Sequence, residues 1–431
     1  MLDFSRRLFL SGFVYLIATL TLVVSRTPLG SPLFFACVLL AVAAYGAMLP
    51  AVCDSMRAPR RLLLTAFLFA IAFRVPLAIA PVGADSDMVR YIWDGRVQRL
   101  GYNPYLVVPA DPEVAHTHTD ETRRMPSRHA STPYPPGAQL FFRLVVTIRE
   151  STRAMKTALV LCDILTILIL WRWLLSAGQS PWLALIYAWN PLVVLEVAHS
   201  GHIDALGAMW ITASAFYLSQ RRTTLASITL VFAIATKLLP IVLAPLYWRR
   251  IRVRDALLSG LLLSGLYWLY VEGRELPFGA VPSVVAHIRF NGPVFQAIAA
   301  VTAPQIAAAV AVLAGLAVAA WARRHRGPSD PAAWAWPMAM SLMCAPVIYP
   351  WYLLYFTPFL WGRATIPLLV WTVSSLPVYV VWARARDGGR WLVPFYIQLL
   401  EFGLVIAASI FLAKRSSSEK DVAAPPMDEL V

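Results

Sequence analysis

Charge is what this chain has least of: 14% of its 431 residues are Asp, Glu, Lys or Arg, while 59% are hydrophobic. That balance excludes a water-soluble protein of this size, because the apolar residues also fall in runs long enough to cross a bilayer. Acids are the scarcer sign, 23 against 37 Lys and Arg. The formal charge of +14 does not point to nucleic acid, since the arginines stand in short clusters between apolar runs, as topology signals do. Cysteine is nearly absent: Cys37, Cys53, Cys162 and Cys344 all lie in or beside apolar segments, which leaves no disulfide framework for a polar loop. There is no internal repeat and no metal-ligand spacing motif. No small-residue cleavage site follows the first apolar run, Leu8 to Val24, so it reads as a first span and not a signal peptide.

What is present is an all-α polytopic membrane protein, expected to hold about eleven to thirteen membrane helices. Spans are expected near Leu8 to Val24, Leu33 to Val52 and Leu62 to Ile79, with Arg57, Arg60 and Arg61 marking the cytoplasmic side between the second and third. Residues 81–154 then form a large external loop, and 272–293 a second one. Further spans are expected at Met155 to Leu174, Leu183 to Val197 and Ile203 to Leu218. The stretch Thr223 to Trp248 starts and ends beside cytoplasmic arginines, so it reads as a broken hairpin with Lys237 near its apex and Pro240 denying the helix a donor. Beyond Tyr349-Pro350-Trp351-Tyr352 the topology stays open. Trp351 to Trp361 is short for a crossing, and either Arg384, Arg386 and Arg390 or Lys414 and Arg415 must face outward against the charge rule. Residues 1–413 read as one transmembrane domain, and 414–431 as a disordered polar tail.

Ionisable groups concentrate outside. The loop His199 to Asp204 is also expected outside, so six of the seven histidines fall in external segments, and eight of the 23 acids fall in residues 81–154 alone. The run from Gly83 to Tyr105 carries most of the pattern. A helix starting at Ser86 puts Asp87, Arg90, Tyr91, Asp94 and Gln98 on one face and Val89, Ile92, Trp93, Val97 and Leu100 on the other. Such a helix is expected to lie flat in the membrane interface with its charged side up. In the plainer reading Asp85, Ser86 and Asp87 only cap it. A second interfacial helix is expected after Tyr134-Pro135-Pro136, where Leu140, Phe141, Leu144, Val145 and Ile148 make an apolar stripe.

Three more polar groups are candidates to join that site: His202 and Asp204 in HSGHID, Lys237 at membrane depth, and Arg289 with Asn291 in HIRFN. Each has a plainer role. His202 and Asp204 serve as helix caps, Lys237 as a structural partner of Asp163, Arg289 as an interface anchor. A metal held by Asp87, His202 and Asp204 is chemically possible, but nothing in their spacing marks one.

The run DSDMVRYIWDGRVQRLGYNPY, followed in order by YPPGAQLFF, GHIDAL, KLLP, RFNGPVF and PVIYPWYLLYFTPFL, resembles bacterial multi-spanning GT-C glycosyltransferases that use polyprenyl-phosphate mannose. The resemblance covers most of residues 81–362 as islands. It implies inverting transfer of a hexose, mannose in the relatives, from a polyprenyl-phosphate donor to a glycan or lipid-linked acceptor. The implied place is the outer face of the cytoplasmic membrane, with no cofactor. It also implies an acid of the first external loop as base. Relatives carry adjacent acids ahead of an Arg-Tyr pair; here they are split as Asp85-Ser86-Asp87, and counting back from Arg90-Tyr91 favours Asp87. Arg90, Tyr91, Asp94, Tyr134, His202, Asp204, Lys237, Arg289 and Asn291 are the expected substrate-binding residues, with Lys237 and Arg289 toward the lipid phosphate. The rival class is a secondary transporter or lipid-linked-sugar flippase, suggested by the broken hairpin and the intramembrane Asp163.

Overall fold

The structure, a computed structural model, describes residues 2–53, 60–81, 86–125 and 127–423. Among them every named element is helical, and pairing is limited to two isolated bridges, Glu272 with Glu275 and Phe290 with Val347. The chain begins with α1 (Leu2–Val24), α2 (Pro32–Cys53) and α3 (Arg60–Ile79). The first large loop holds α4 (Asp87–Arg99) and α5 (Pro136–Ile148), and α6 (Thr152–Ser176) re-enters the bundle. Next come two short turns, α7 (Leu185–Ala188) and α8 (Pro191–Val194), then α9 (Asp204–Ser219), α10 (Thr223–Thr236) and α11 (Val253–Trp268). The second loop carries α12 (Val281–His287) and α13 (Pro293–Ala299). The remainder is α14 (Pro304–His325), α15 (Pro331–Met343), α16 (Ile366–Ser374), α17 (Val380–Arg386) and α18 (Phe395–Ala423).

Seven segments of the described chain are long and apolar enough to cross a membrane, or eight if the bent pair Pro181–Ala188 and Pro191–Ser200 counts as one span. Large exposed apolar side chains such as Leu10, Leu39, Leu64, Leu161, Leu313 and Phe411 stud their outer faces, as a lipid-facing belt requires. This is a multi-pass membrane protein. The count falls short of the expected eleven to thirteen because the middle of the chain is cut into shorter pieces. Asn190 stops one helix and caps the next through Leu192 N at 3.0 Å, while α9, α10, α11 and α15 have only 16, 14, 16 and 13 residues. The break expected in the hairpin is present: α10 ends at Thr236, Lys237 is extended, and Leu239–Tyr247 continues as a 3₁₀ segment with Pro240 in its first turn. Close packing in this region uses small residues. Ala307, Ala311, Gly315, Ala319 and Ala322 form the buried stripe of α14 that lets α15 and the 3₁₀ segment approach.

The open question after Tyr349 closes geometrically. Pro350–Tyr355 and Thr357–Phe359 are buried 3₁₀ turns, and Trp336 near the start of α15 donates to Ala364 O at 3.0 Å. The chain therefore runs back beside α15, roughly ten residues at about 2.0 Å rise matching a 13-residue α-helix. It follows that α17 delivers Arg386 to the end of the bundle that holds Asp87. The polar tail expected from residue 414 starts as helix, since nothing between Ala413 and Ala423 breaks α18; residues 424–431 lie outside the described residues.

One expectation needs correction. Helix α4 does not lie with a charged face toward water: Arg90, Asp94 and Gln98 are as buried as Val89, Trp93 and Val97. Its polar side is satisfied inside the protein instead. Asp94 accepts from Arg90 Nε at 2.6 Å, Thr132 Oγ1 at 2.6 Å and Gln139 Nε2 at 2.8 Å, and Gln98 bonds the Gln139 side chain at 2.8 Å. Alternating polar residues on a helix state only that one side meets polar partners, and here those partners are other parts of the same loop.

Candidate functional site

Asp87 is the first residue of α4, behind the N-cap Ser86, whose hydroxyl accepts from Met88 N at 3.3 Å. The helix is held rigidly. Tyr91, four residues on, stacks on Phe142 of α5 with ring centres 4.5 Å apart and meets Tyr134 edge-on at 5.1 Å. Gly201 closes the other side: its φ is +74° and a Cβ there would overlap the buried Met88 methyl. Asp87 is therefore pinned at the mouth of the bundle by packing on both flanks.

Across from it stand the groups on HSGHID and the hairpin break. Asp204 opens α9, and its Oδ1 accepts from Lys237 Nζ at 2.6 Å, while Oδ2 has no hydrogen-bond partner among the described residues. Lys237, released from helical geometry at the end of α10, also lies 3.7 Å from the centre of the Tyr352 ring. His202 places Nδ1 2.9 Å from Glu196 Oε2, and Glu196 in turn accepts from the Tyr379 hydroxyl. The His202 ring stacks on Trp351 at 4.0 Å, and Trp351 stacks on Tyr349 at 4.3 Å, a continuous three-ring pile.

Two cavities meet at this place. One, of about 470 Å³, is lined by Asp87, Arg90, Tyr134, Asp204, Lys237 and Tyr352, with α12 on its far side. The other, of about 400 Å³, is lined by Asp87, His199, His202, Arg26, Tyr379 and Arg386. Asp87 and Trp351 belong to both. The half-buried Asp87 carboxyl has its pKa raised to about 6, because burial disfavours its charge and Asp204 adds repulsion; Lys237, a hydrogen bond from Tyr134 and Arg90 oppose this. A carboxylate poised there takes up a proton near neutral pH far more readily than a free aspartate.

Of the expected site residues, Asp87, Arg90, Tyr91, Tyr134, Asp204 and Lys237 line the larger cavity and His202 the smaller. Asp94 sits behind them in the hydrogen-bond network of α4. Arg289 does not reach either cavity; its guanidinium donates to the Val285, Ala286 and Ile288 carbonyls and covers the Phe295 ring at 4.6 Å. Asn291, at φ +54°, donates to Glu401 Oε2 at 2.8 Å and ties the second loop to α18. Asp85 lies outside the described residues. Lys237 is not the partner of Asp163, which is held by Arg74 and the Tyr187 hydroxyl. Among the described residues no three His, Cys, Asp or Glu side chains converge as a metal would need. Arg26, Glu196, Trp351 and Arg386 were not expected. Trp351 had a signal in its YPWY turn and Arg386 in the charge rule it breaks, while Arg26 is a single arginine in a short turn.

A family model described as alpha-(1->6)-mannopyranosyltransferase, N-terminal domain, of the MptA/B family, matches residues 14–250. The chain belongs to that family. No curated protein and no solved structure matches it. The matched segment takes in Asp87, Asp204 and Lys237 and stops before α12 and the Tyr349–Trp351 stack. A mannosyltransferase must hold a sugar donor and an acceptor at once.

Proposed function

We propose that this mannosyltransferase moves mannose from a polyprenyl-phosphate donor to a hydroxyl of a glycan or lipid-linked acceptor, on the outer face of the cytoplasmic membrane. The observation that carries the reading is the Asp87 carboxylate opening on both cavities. The acceptor oxygen attacks the anomeric carbon and gives its proton to Asp87, or to Asp85 if that acid takes the role. The bond from that carbon to the phosphate oxygen breaks, and the polyprenyl phosphate leaves with the electron pair. One displacement needs one carboxylate and inverts the centre, so the alpha linkage in the family's name calls for a beta-configured sugar phosphate. A polyprenyl phosphate keeps its phosphate at headgroup depth, which matches a base standing at the mouth of the bundle and not in its middle.

The transporter reading loses one of its two supports, because the intramembrane Asp163 is paired with Arg74 and the Tyr187 hydroxyl; the broken hairpin, its other support, places Lys237 against Asp204 at the Asp87 cavity. Membranes holding the protein, incubated with radiolabelled polyprenyl-phosphate mannose, should yield a labelled acceptor. Asp87→Asn should lower that rate about 10²- to 10⁴-fold at normal protein level, and Asp85→Asn should keep most of it. A fully active Asp87→Asn would refute the assignment, and an inactive Asp85→Asn beside it would move the role back two residues.

A further inference from the structure

The two cavities differ in charge. In the larger one both cations are already paired, Lys237 with Asp204 at 2.6 Å and Arg90 with Asp94 at 2.6 Å. The smaller cavity is rimmed by Arg26 and Arg386, exposed side chains that make no hydrogen bond or ion pair with the described residues. Its wall also presents His199 Nδ1, a buried atom with no hydrogen-bond partner among the described residues. Unpaired guanidiniums beside an unsatisfied polar atom describe a place built for an oxygen-rich anion.

The fold brings the two arginines together deliberately. Arg26 stands in the turn between α1 and α2 at φ +45°, a conformation uncommon for any residue but glycine. Gly30 in the same turn has φ +75° and sits so close to α17 that a Cβ would overlap the Tyr379 carbonyl. That contact docks the turn against the helix carrying Arg386. The cluster Arg384, Arg386 and Arg390 also lies at the Asp87 end of the bundle, opposite to what charge topology alone prescribes. A ligand that needs a guanidinium there accounts for the exception.

We propose that the smaller cavity is the phosphate subsite of the lipid-linked donor, with Arg26 and Arg386 as its ligands, and that the larger cavity receives the acceptor. This rests on the donor class given under Proposed function. The leaving phosphate then gathers its charge between two unpaired guanidiniums. Leu22, Val23 and Leu29 offer the isoprenoid chain an apolar path out of the same cavity. The aromatic faces of Tyr349 and Tyr352 remain on the acceptor side.

The test uses full-length protein in phosphatidylcholine nanodiscs and tritiated farnesyl phosphate, with farnesol as the uncharged control. Arg26→Gln and Arg386→Gln should each weaken farnesyl phosphate binding about tenfold, and the double variant further; Arg384→Gln, two residues back on α17 and outside the cavity, should bind within twofold of the native protein. Arg26→Lys and Arg386→Lys should restore part of the loss. In transfer assays the arginine variants should raise the donor KM and leave the acceptor KM unchanged. Native-like binding by both glutamine variants overturns the subsite, as does loss of binding in Lys237→Met alone. Displacement of the probe by phosphatidylglycerol at equal mole fraction overturns it too, by making the site one for ordinary anionic lipid. Failure of the donor class reads differently: the native protein would then bind farnesol as well as farnesyl phosphate.

Discussion

Lys237 Nζ sits 2.6 Å from Asp204 Oδ1 in a pocket where the carboxylate is almost wholly buried. The pair is the electrostatic floor beneath Asp87: Lys237 draws the Asp87 pKa down and Asp204 pushes it up, so the two effects partly cancel at the base. Removing one partner leaves the other charge uncompensated. Lys237→Met is expected to destabilise the protein by about 3 kcal/mol, and adding Asp204→Asn should recover much of that. Thermal unfolding in detergent of the two single variants and the double one measures the coupling; additive losses would show the pair to be unimportant.

Asp87 predicts both a pH profile and a stability effect. As a base it works when deprotonated, so transfer should rise as pH passes through about 6 and level off above it. The sign for stability is the reverse. A carboxyl whose folded pKa is raised stabilises the fold below its unfolded value, and that contribution is lost as pH climbs through about 6. Asp87→Asn should therefore melt at or above the native temperature at pH 8 while losing activity. A variant that is both inactive and less stable would mark Asp87 as a structural cap.

The ion pair of Arg74 with Asp163 joins α3 to α6 far from either cavity, and Arg74 also donates to the Ala70 and Ala188 carbonyls at 2.8 Å. Arg74→Met is expected to cost about 3–5 kcal/mol, with donor and acceptor KM unchanged in whatever protein folds. A large KM shift at normal stability would give this pair a part in substrate handling.

Topology can be checked from outside the cell. With the native cysteines removed, single cysteines at His118 and at Arg386 should both react with an impermeant thiol reagent in intact cells or spheroplasts. Labelling of His118→Cys only after lysis would reverse the orientation. Opposite behaviour of the two sites would contradict the crossing of the chain beside α15.

The helical bundle was legible because lipid forces apolar runs, and the hairpin break was legible because proline cannot donate. Lys237 stood out because a charge at membrane depth needs a partner or a task, and Asp87 and Asp204 because they open helices in polar runs between apolar segments. Burial on every side of α4 was not legible. The Asp94–Gln139 and Asp94–Thr132 contacts join positions whose spacing follows no period, so the sequence pattern resembles an amphipathic surface helix. Arg289 misled in another way. A lone cation in a polar loop looks like a ligand, and only coordinates show its guanidinium making three hydrogen bonds to carbonyls at the end of α12. Trp351 and Arg386 reach the site through a 3₁₀ return strand of chain too short to pass as a span, which hid the direction of everything after it.

The close fit of Gly30 on Tyr379 also sets an order of assembly. The first turn of the protein waits for one of its last helices, so the wall that carries Arg26 is complete only once α17 is in place. Gly30→Ala, which should hold the turn off α17 without touching any reacting residue, is expected to raise the donor KM and slow the appearance of activity after synthesis in a pulse-labelled membrane preparation. Unaltered donor KM in that variant would show that the two ends of the chain find each other without it.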